Sequence, residues 1–174
     1  MSFEIPALTG PVPEQHAALL ESARALAGDE TSYIATAANL SALVYHALPQ
    51  LNWVGFYFAH GDELVVGPFQ GKPACIRIPF GRGVCGTAAA TRTIQRVADV
   101  HAVPDHIACD PDSRSELVIP MSVGKQTVGV FDLDSPVPDR FTEADEELMS
   151  EIGLLVLERM PGRYLTPEIR RRRR

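Results

Sequence analysis

The 174-residue chain has only three cysteines and one tryptophan, no long apolar run and no excess of positive charge. Each scarcity excludes something. A membrane-spanning helix needs about 18 or more consecutive apolar residues, and no stretch of this sequence comes near that. Met1-Ser2-Phe3-Glu4-Ile5-Pro6 lacks the basic start and apolar run of a secretory signal. The expected location is therefore the cytoplasm, where structural disulfides are rare and a cysteine pair that does bridge tends to be catalytic or regulatory. A formal net charge of −6 argues against a nucleic-acid surface. One run goes the other way: Arg170 to Arg174 are all arginine, a patch able to hold phosphate or acidic partners. With no aromatics interleaved and Pro161-Gly162 and Thr166-Pro167 before it, it reads first as a solvated tail. Neither an internal repeat nor a linker composition points to a second domain.

What is present suits one globular domain. Apolar residues make up 45% and charged residues 22%, which excludes disorder, and the length suffices for a core without disulfide staples. Residues 1–12 read as an irregular proline-rich start, 13–160 as the domain and 161–174 as the basic tail. From about Pro13 to Ala27 an apolar stripe through Ala17, Leu20 and Ala23 predicts a helix, with Pro13 in its first turn and Gly28 at its stop. A second helix is predicted from Asp29 or Thr31 to Pro49. Leu51 to Ala59 then switches to a period of two, with Val54, Phe56 and Phe58 on one face and Trp53, Gly55 and Tyr57 on the other, as in a strand buried on both sides.

His60-Gly61-Asp62 predicts a turn into a partner strand, Glu63 to Phe69. A short extended piece at Cys75 to Ile78, a small helix at Val84 to Ala90 and a brief strand at Ile94 to Ala98 follow. Asp99 to Ser113 shows no period, and long aperiodic loops in compact domains are often functional. Leu117 to Val123 and Gln126 to Leu133 form another hairpin. A last helix opens at Phe141-Thr142, with Thr142 as cap and Asp145 in the capping-box position. The sum is an α+β fold: a central antiparallel sheet with N- and C-terminal helices packed largely on one face.

The residues able to do chemistry cluster between Gly71 and Asp134. On the last strand Val128, Val130, Asp132 and Asp134 share a face, and Glu116 begins a matching face on the strand before it. Pairing of that hairpin can gather three acids at one end of the sheet. Such acids raise one another's pKa unless a cation is bound, which suits an ammonium-bearing ligand or a carboxyl kept protonated as an acid. Equally, they can be solvated strand ends, since Asp134-Ser135-Pro136 is good turn chemistry. Trp53 and Tyr57 share a face across the small Gly55, an aromatic wall for methyl, thioether or cationic groups, although strand aromatics are more often core.

The cysteines leave three readings open. Cys75, Cys85 and Cys109 could bind metal with His101 or His106, but no Cys-x-x-Cys or His-x₃-His spacing is present. They could be inert core residues. Or one attacks an electrophile and another resolves the product as a disulfide, with Cys109, in the aperiodic loop, the better nucleophile. Asp105, Asp110 and Asp112 should raise its thiol pKa unless His106, Arg114 or helix-end amides offset them.

In order and spacing, Gly71-Lys72-Pro73-Ala74-Cys75, Gly81-Arg82-Gly83-Val84-Cys85-Gly86-Thr87-Ala88, Ser113-Arg114-Ser115-Glu116-Leu117 and Asp132-Leu133-Asp134-Ser135 resemble the free methionine-(R)-sulfoxide reductases, a family built on the GAF domain. The resemblance runs from about Leu51 to Ile152. It implies an oxidoreductase acting on free methionine-(R)-sulfoxide, with Cys109 as nucleophile, Cys75 forming a disulfide with it, and Cys85 as the third catalytic thiol, an alternative resolving residue whose pKa a helix start would lower. Glu116, Asp132 and Asp134 would hold the substrate ammonium and the sulfoxide oxygen, while Trp53 and Tyr57 would enclose the methyl group. No metal or organic cofactor is implied. Thioredoxin or a similar dithiol would regenerate the enzyme, and a homodimer is one expectation because GAF domains often pair through their first helices. The competing reading is a non-enzymatic GAF module that senses a small ligand or redox state.

Overall fold

The computed structural model describes residues 4–103 and 110–161. Helices α1 (Val12–Ala27) and α2 (Tyr33–Ala47) come first. Then follow β1 (Trp53–His60), β2 (Glu63–Gly71), β3 (Arg77–Pro79), α3 (Gly83–Thr91), β4 (Gln95–Val97), a short 3₁₀ turn at Val100–Ala102, β5 (Ser115–Val123), β6 (Gln126–Ser135) and α4 (Glu143–Leu157). The strands form one six-stranded antiparallel sheet in the order β3-β2-β1-β6-β5-β4. No helix among the described residues is long and apolar enough to cross a membrane.

Alternation along the central strands divides the sheet into two unlike faces. Val54 and Phe56 of β1 and Leu133 of β6 point to one side, where Leu40 of α2 and Met149 and Ile152 of α4 cover them. Phe56 and Phe131 are direct partners across β1 and β6, and their rings stack with centroids 4.3 Å apart. Helix α1 lies outside this layer, against α2 and α4. The other face carries Trp53, Tyr57, Val118 and Val130 beneath α3 alone. Three helices thus consolidate one face, and the second is left to one short helix and loops. This is the α+β arrangement the periodicities predict.

Local chemistry corrects the reading in three places. Helix α2 starts at Tyr33 rather than Asp29 or Thr31, because Ser32 Oγ accepts the Ala35 N–H while the Glu30 carboxylate accepts those of Thr31 and Ser32. The short strand expected at Cys75 to Ile78 is Arg77–Pro79. Val128 does not share the face of Val130: Met121 pairs with Gly129 but Ser122 with Thr127, so Val128 is the extra residue of a bulge and joins the helix-covered core. A similar irregularity in β2 falls between the partners Phe69 and Val66, at the segment holding Pro68, a residue that sheets accommodate at bulges.

The predicted cap is present in full. Thr142 Oγ1 accepts the Asp145 N–H, and the Asp145 carboxylate accepts the Thr142 N–H at 2.8 Å. Asp145 is buried and also meets Arg140 and His16. Thr142→Ala should therefore lower the unfolding free energy by about 1 kcal/mol, read as a lower urea midpoint with unchanged slope. An unchanged midpoint would contradict the cap's contribution.

Candidate active site

Strand register builds the site. Across β1, β6 and β5, Trp53 pairs with Asp134 and Asp134 with Glu116; one step on, Gly55 pairs with Asp132 and Asp132 with Val118. Paired residues share a face, so Trp53, Asp134, Glu116 and Asp132 all rise from the face under α3. Together with Tyr57 and Cys85 they line one cavity of about 530 Å³, its open mouth included, rimmed by Lys72, Arg82, Asp110 and Ser113.

Helix α3 supplies the roof. Its entry is tight: the Gly81 N–H donates to Gly86 O at 2.7 Å, and a Cβ on Gly86 would meet Pro79 O at 2.4 Å. Only glycine lets the helix settle this close to the chain entering it. The contact sets Cys85 in the first turn above the acids, and its thiol donates to Glu116 Oε1 at 3.8 Å.

Burial dominates the electrostatics. Asp132 is only 5% exposed, and its Oδ1 has no hydrogen-bond partner among the described residues. Desolvation first, and then repulsion from Glu116, push its carboxyl well above the ordinary range. Asp134, partly exposed to the cavity, is pushed the same way by desolvation and then by Asp132 and Asp110. The Tyr57 hydroxyl is also raised, by burial and then by Asp132. The helix start beside Cys85 does not lower its pKa as expected: desolvation, then Asp132 and Glu116, raise it well above the usual thiol value. A half-charge at a helix end cannot offset burial among carboxyls.

At the rim the balance reverses. Lys72 Nζ donates to Asp110 Oδ1 at 3.1 Å and Asp112 Oδ2 at 2.6 Å. Asp110 is held below the ordinary range, mainly by the Asp112 backbone N–H, with Lys72 contributing. Asn52 Nδ2 reaches Asp110 Oδ2 and Ser113 Oγ, and Trp53 Nε1 donates to Lys72 O at 3.2 Å. Lys72, rather than Arg114, neutralises these aspartates, since Arg114 Nη2 lies 3.5 Å from Asp99.

Of the residues singled out from sequence, Trp53, Tyr57, Cys85, Glu116, Asp132 and Asp134 meet in this cavity. Cys75 packs against the same apolar cluster as Cys85, and its sulfur is disulfide-bonded, whereas Cys85 is a free buried thiol. Cys109, His106 and the arginine tail lie outside the described residues. His101 stays exposed, with Nδ1 2.9 Å from Asp99, and does not line the cavity. The space expected over Gly55 is already filled: a Cβ there would meet Phe69 Cβ at 2.4 Å and the Trp53 ring at 2.5 Å. Trp53 stacks at 5.7 Å on Tyr57 and at 5.2 Å on Phe69. Asn52, Lys72, Arg82 and Ser113 were not predicted as site residues. Lys72, Arg82 and Ser113 do stand inside the quoted motifs; Asn52 carries no sequence signal.

The geometry has close relatives. A model of the GAF domain matches residues 17–158. Protein YtsP of Bacillus subtilis is 52% identical over 153 residues, 87% of this chain and 94% of that one. The free methionine-R-sulfoxide reductase of Escherichia coli is 52% identical over 139 residues, 80% of this chain and 84% of the relative. The free methionine-R-sulfoxide reductase of Neisseria meningitidis, solved in complex with its substrate, superposes with a TM-score of 0.85 at 39% identity, covering 91% of this chain and 95% of its own. Their identity and their coverage of nearly the whole domain show that the chain belongs to the GAF-domain family of free methionine-(R)-sulfoxide reductases.

Proposed function

We propose that this protein reduces free methionine-(R)-sulfoxide to methionine, with Cys109 as nucleophile and Cys75 as resolving thiol. The observation that carries the reading is the convergence of Glu116, Asp132 and Asp134 with Trp53 and Tyr57 on one cavity. A free amino acid brings an ammonium, and Asp132 Oδ1 is a buried acceptor without a partner. A peptide's acylated nitrogen would offer no charge in return for the desolvation.

The chemistry balances in two steps. The Cys109 sulfur attacks the sulfoxide sulfur as a carboxyl protonates its oxygen; the oxygen passes to Cys109 as a sulfenic acid and methionine departs as the thioether. The Cys75 thiol then attacks the sulfenic sulfur, water leaves, and the two thiols have given up two electrons as a disulfide. That Cys75 is found disulfide-bonded supports this assignment. A protein dithiol of the thioredoxin type would accept the disulfide by exchange. Asp132 and Asp134 suit the acid's part because burial keeps their carboxyls protonated to higher pH than usual. Cys85, whose thiol the same surroundings push well above its usual pKa, is poorly suited to attack.

Three outcomes test the reading. Mixed with free methionine-(R)-sulfoxide and a dithiol, the protein should form methionine; Cys109→Ser should abolish this, whereas Cys75→Ser should still release about one methionine per chain before stalling. Equal loss of the first turnover in both would overturn the roles. Second, the rate of the first turnover should fall as pH rises through the raised carboxyl pKa, and replacing the proton-donating carboxyl by its amide should cost about 100-fold or more. A flat profile would remove the acid. Third, because folded Asp132 binds its proton more tightly than the unfolded chain does, its contribution destabilises the fold increasingly as pH rises above the unfolded value. Asp132→Asn should thus stabilise the protein at pH 7 while impairing turnover, and the gain should vanish below about pH 4. A variant destabilised at pH 7 would refute that linkage.

A further inference from the structure

The first-turn thiol of α3 has no part in the proposed reaction, yet it is held against two acids. Cys85 Sγ lies 3.8 Å from Glu116 Oε1, and one ligand atom each from Cys85, Glu116 and Asp132 falls within 4.8 Å of the others. A tetrahedral zinc ion with Zn–S of about 2.3 Å and Zn–O of about 2.0–2.2 Å sets neighbouring donors roughly 3.5 Å apart. The Cys85–Glu116 pair is near that edge length, and the other separations, all within 4.8 Å, need a side-chain adjustment of about 1 Å at most. Asp132 adds a second sign of a missing ligand: it lines the cavity, its carboxyl interacts with Cys85 and Glu116, and yet its buried Oδ1 has no hydrogen-bond partner among the described residues. The donor set discriminates too. A thiol with two carboxylates suits a thiophilic ion such as Zn²⁺, whereas Mg²⁺ and Ca²⁺ ask for more oxygens and no sulfur.

We propose that a thiophilic divalent cation binds Cys85, Glu116 and Asp132 and thereby competes with the substrate, making the reductase sensitive to free zinc. The competition, though not the ion site itself, rests on the function proposed above: an ion on Glu116 and Asp132 removes the groups that would hold the ammonium and sulfoxide. Binding is a ligand exchange, in which the thiol proton and any carboxyl proton leave to solvent and no electrons move. Asp134, which lines the same cavity, or a water can supply a fourth ligand.

The test uses Cys75→Ser/Cys109→Ser protein, in which Cys85 is the sole thiol, without any free dithiol that would capture the ion. Co²⁺ should bind at about one ion per chain with a sulfur-to-cobalt charge-transfer absorption that Zn²⁺ displaces. Adding Glu116→Gln should weaken binding roughly tenfold or more, and adding Cys85→Ser should remove the absorption, with circular dichroism verifying that each variant is folded. Free methionine-(R)-sulfoxide should raise the apparent Kd for Co²⁺ in proportion to its concentration. No absorption in the folded protein, or an absorption that survives Cys85→Ser, would overturn the site. An ion that the sulfoxide cannot displace would overturn the competition. Methionine formation by chelator-treated wild-type protein is read separately, so a failed reductase and a failed ion site give different results.

Discussion

Burial of acid on a sheet face is the constraint around which this molecule is arranged. Asp132 sits mid-sheet between β1 and β5, with Gly55 and Val118 as cross-strand partners and no counter-charge among the described ion pairs. Such a group costs stability whether it stays ionised without hydration or takes up a proton to avoid doing so. The fold bears this by dividing labour between faces. The helix-covered face, with Phe56 stacked on Phe131 and α4 held by its capping box, consolidates the domain. The other face, under one short helix, can then be shaped for chemistry, because the strands that carry its side chains are already fixed from behind.

Features set by local sequence were legible. Trp53 and Tyr57 fall opposite Val54 and Phe56 because a strand alternates, and Thr142 caps α4 because its hydroxyl needs only the backbone three residues on. The gathering of Glu116, Asp132 and Asp134 was readable only as one pairing the hairpin could adopt: the register set by the turn at Gly124-Lys125 would put Glu116 opposite Leu133, and the extra residue Val128 is what brings it opposite Asp134. What escaped was set by partners distant in sequence. The bulge that turns Val128 over is decided where β5 and β6 lose step near the turn, and nothing in its neighbours announces it. The filling of the space above Gly55 depends on Phe69, delivered by β2.

The Cys85 thiol shows most plainly why residue type and position fall short. Read along the chain, it stands at a helix start, where the dipole favours a thiolate. Folded, the same helix start lowers it into a cavity walled by Asp132 and Glu116, and the sign of the shift reverses. Lys72 teaches the converse. As sequence it is one cation before Pro73; in space it clasps Asp110 and Asp112 while its carbonyl receives the Trp53 indole. The rim aspartates are thereby held as ion pairs, whereas burial pushes the pKa of the inner ones upward, two different ways of accommodating acid within one small region.

That difference bears on how the proposed reaction would begin. A rim carboxylate already paired with Lys72 would gain little from a second cation, so on the proposed reading an incoming ammonium would be drawn past Asp110 and Asp112 toward the Asp132 oxygen that has no partner among the described residues. Its arrival favours the ionised form of whichever carboxyl it meets and so lowers a pKa that burial had raised. The proton released there would have acceptors at hand in the same cavity: a neighbouring carboxyl, or the sulfoxide oxygen. On this account substrate binding and acid catalysis are one electrostatic event, in which the charge at one end of the amino acid prepares the proton needed at the other. A ligand without the ammonium would leave the acids as they were, which ties selectivity for the free amino acid to the chemistry itself rather than to the fit of the cavity alone.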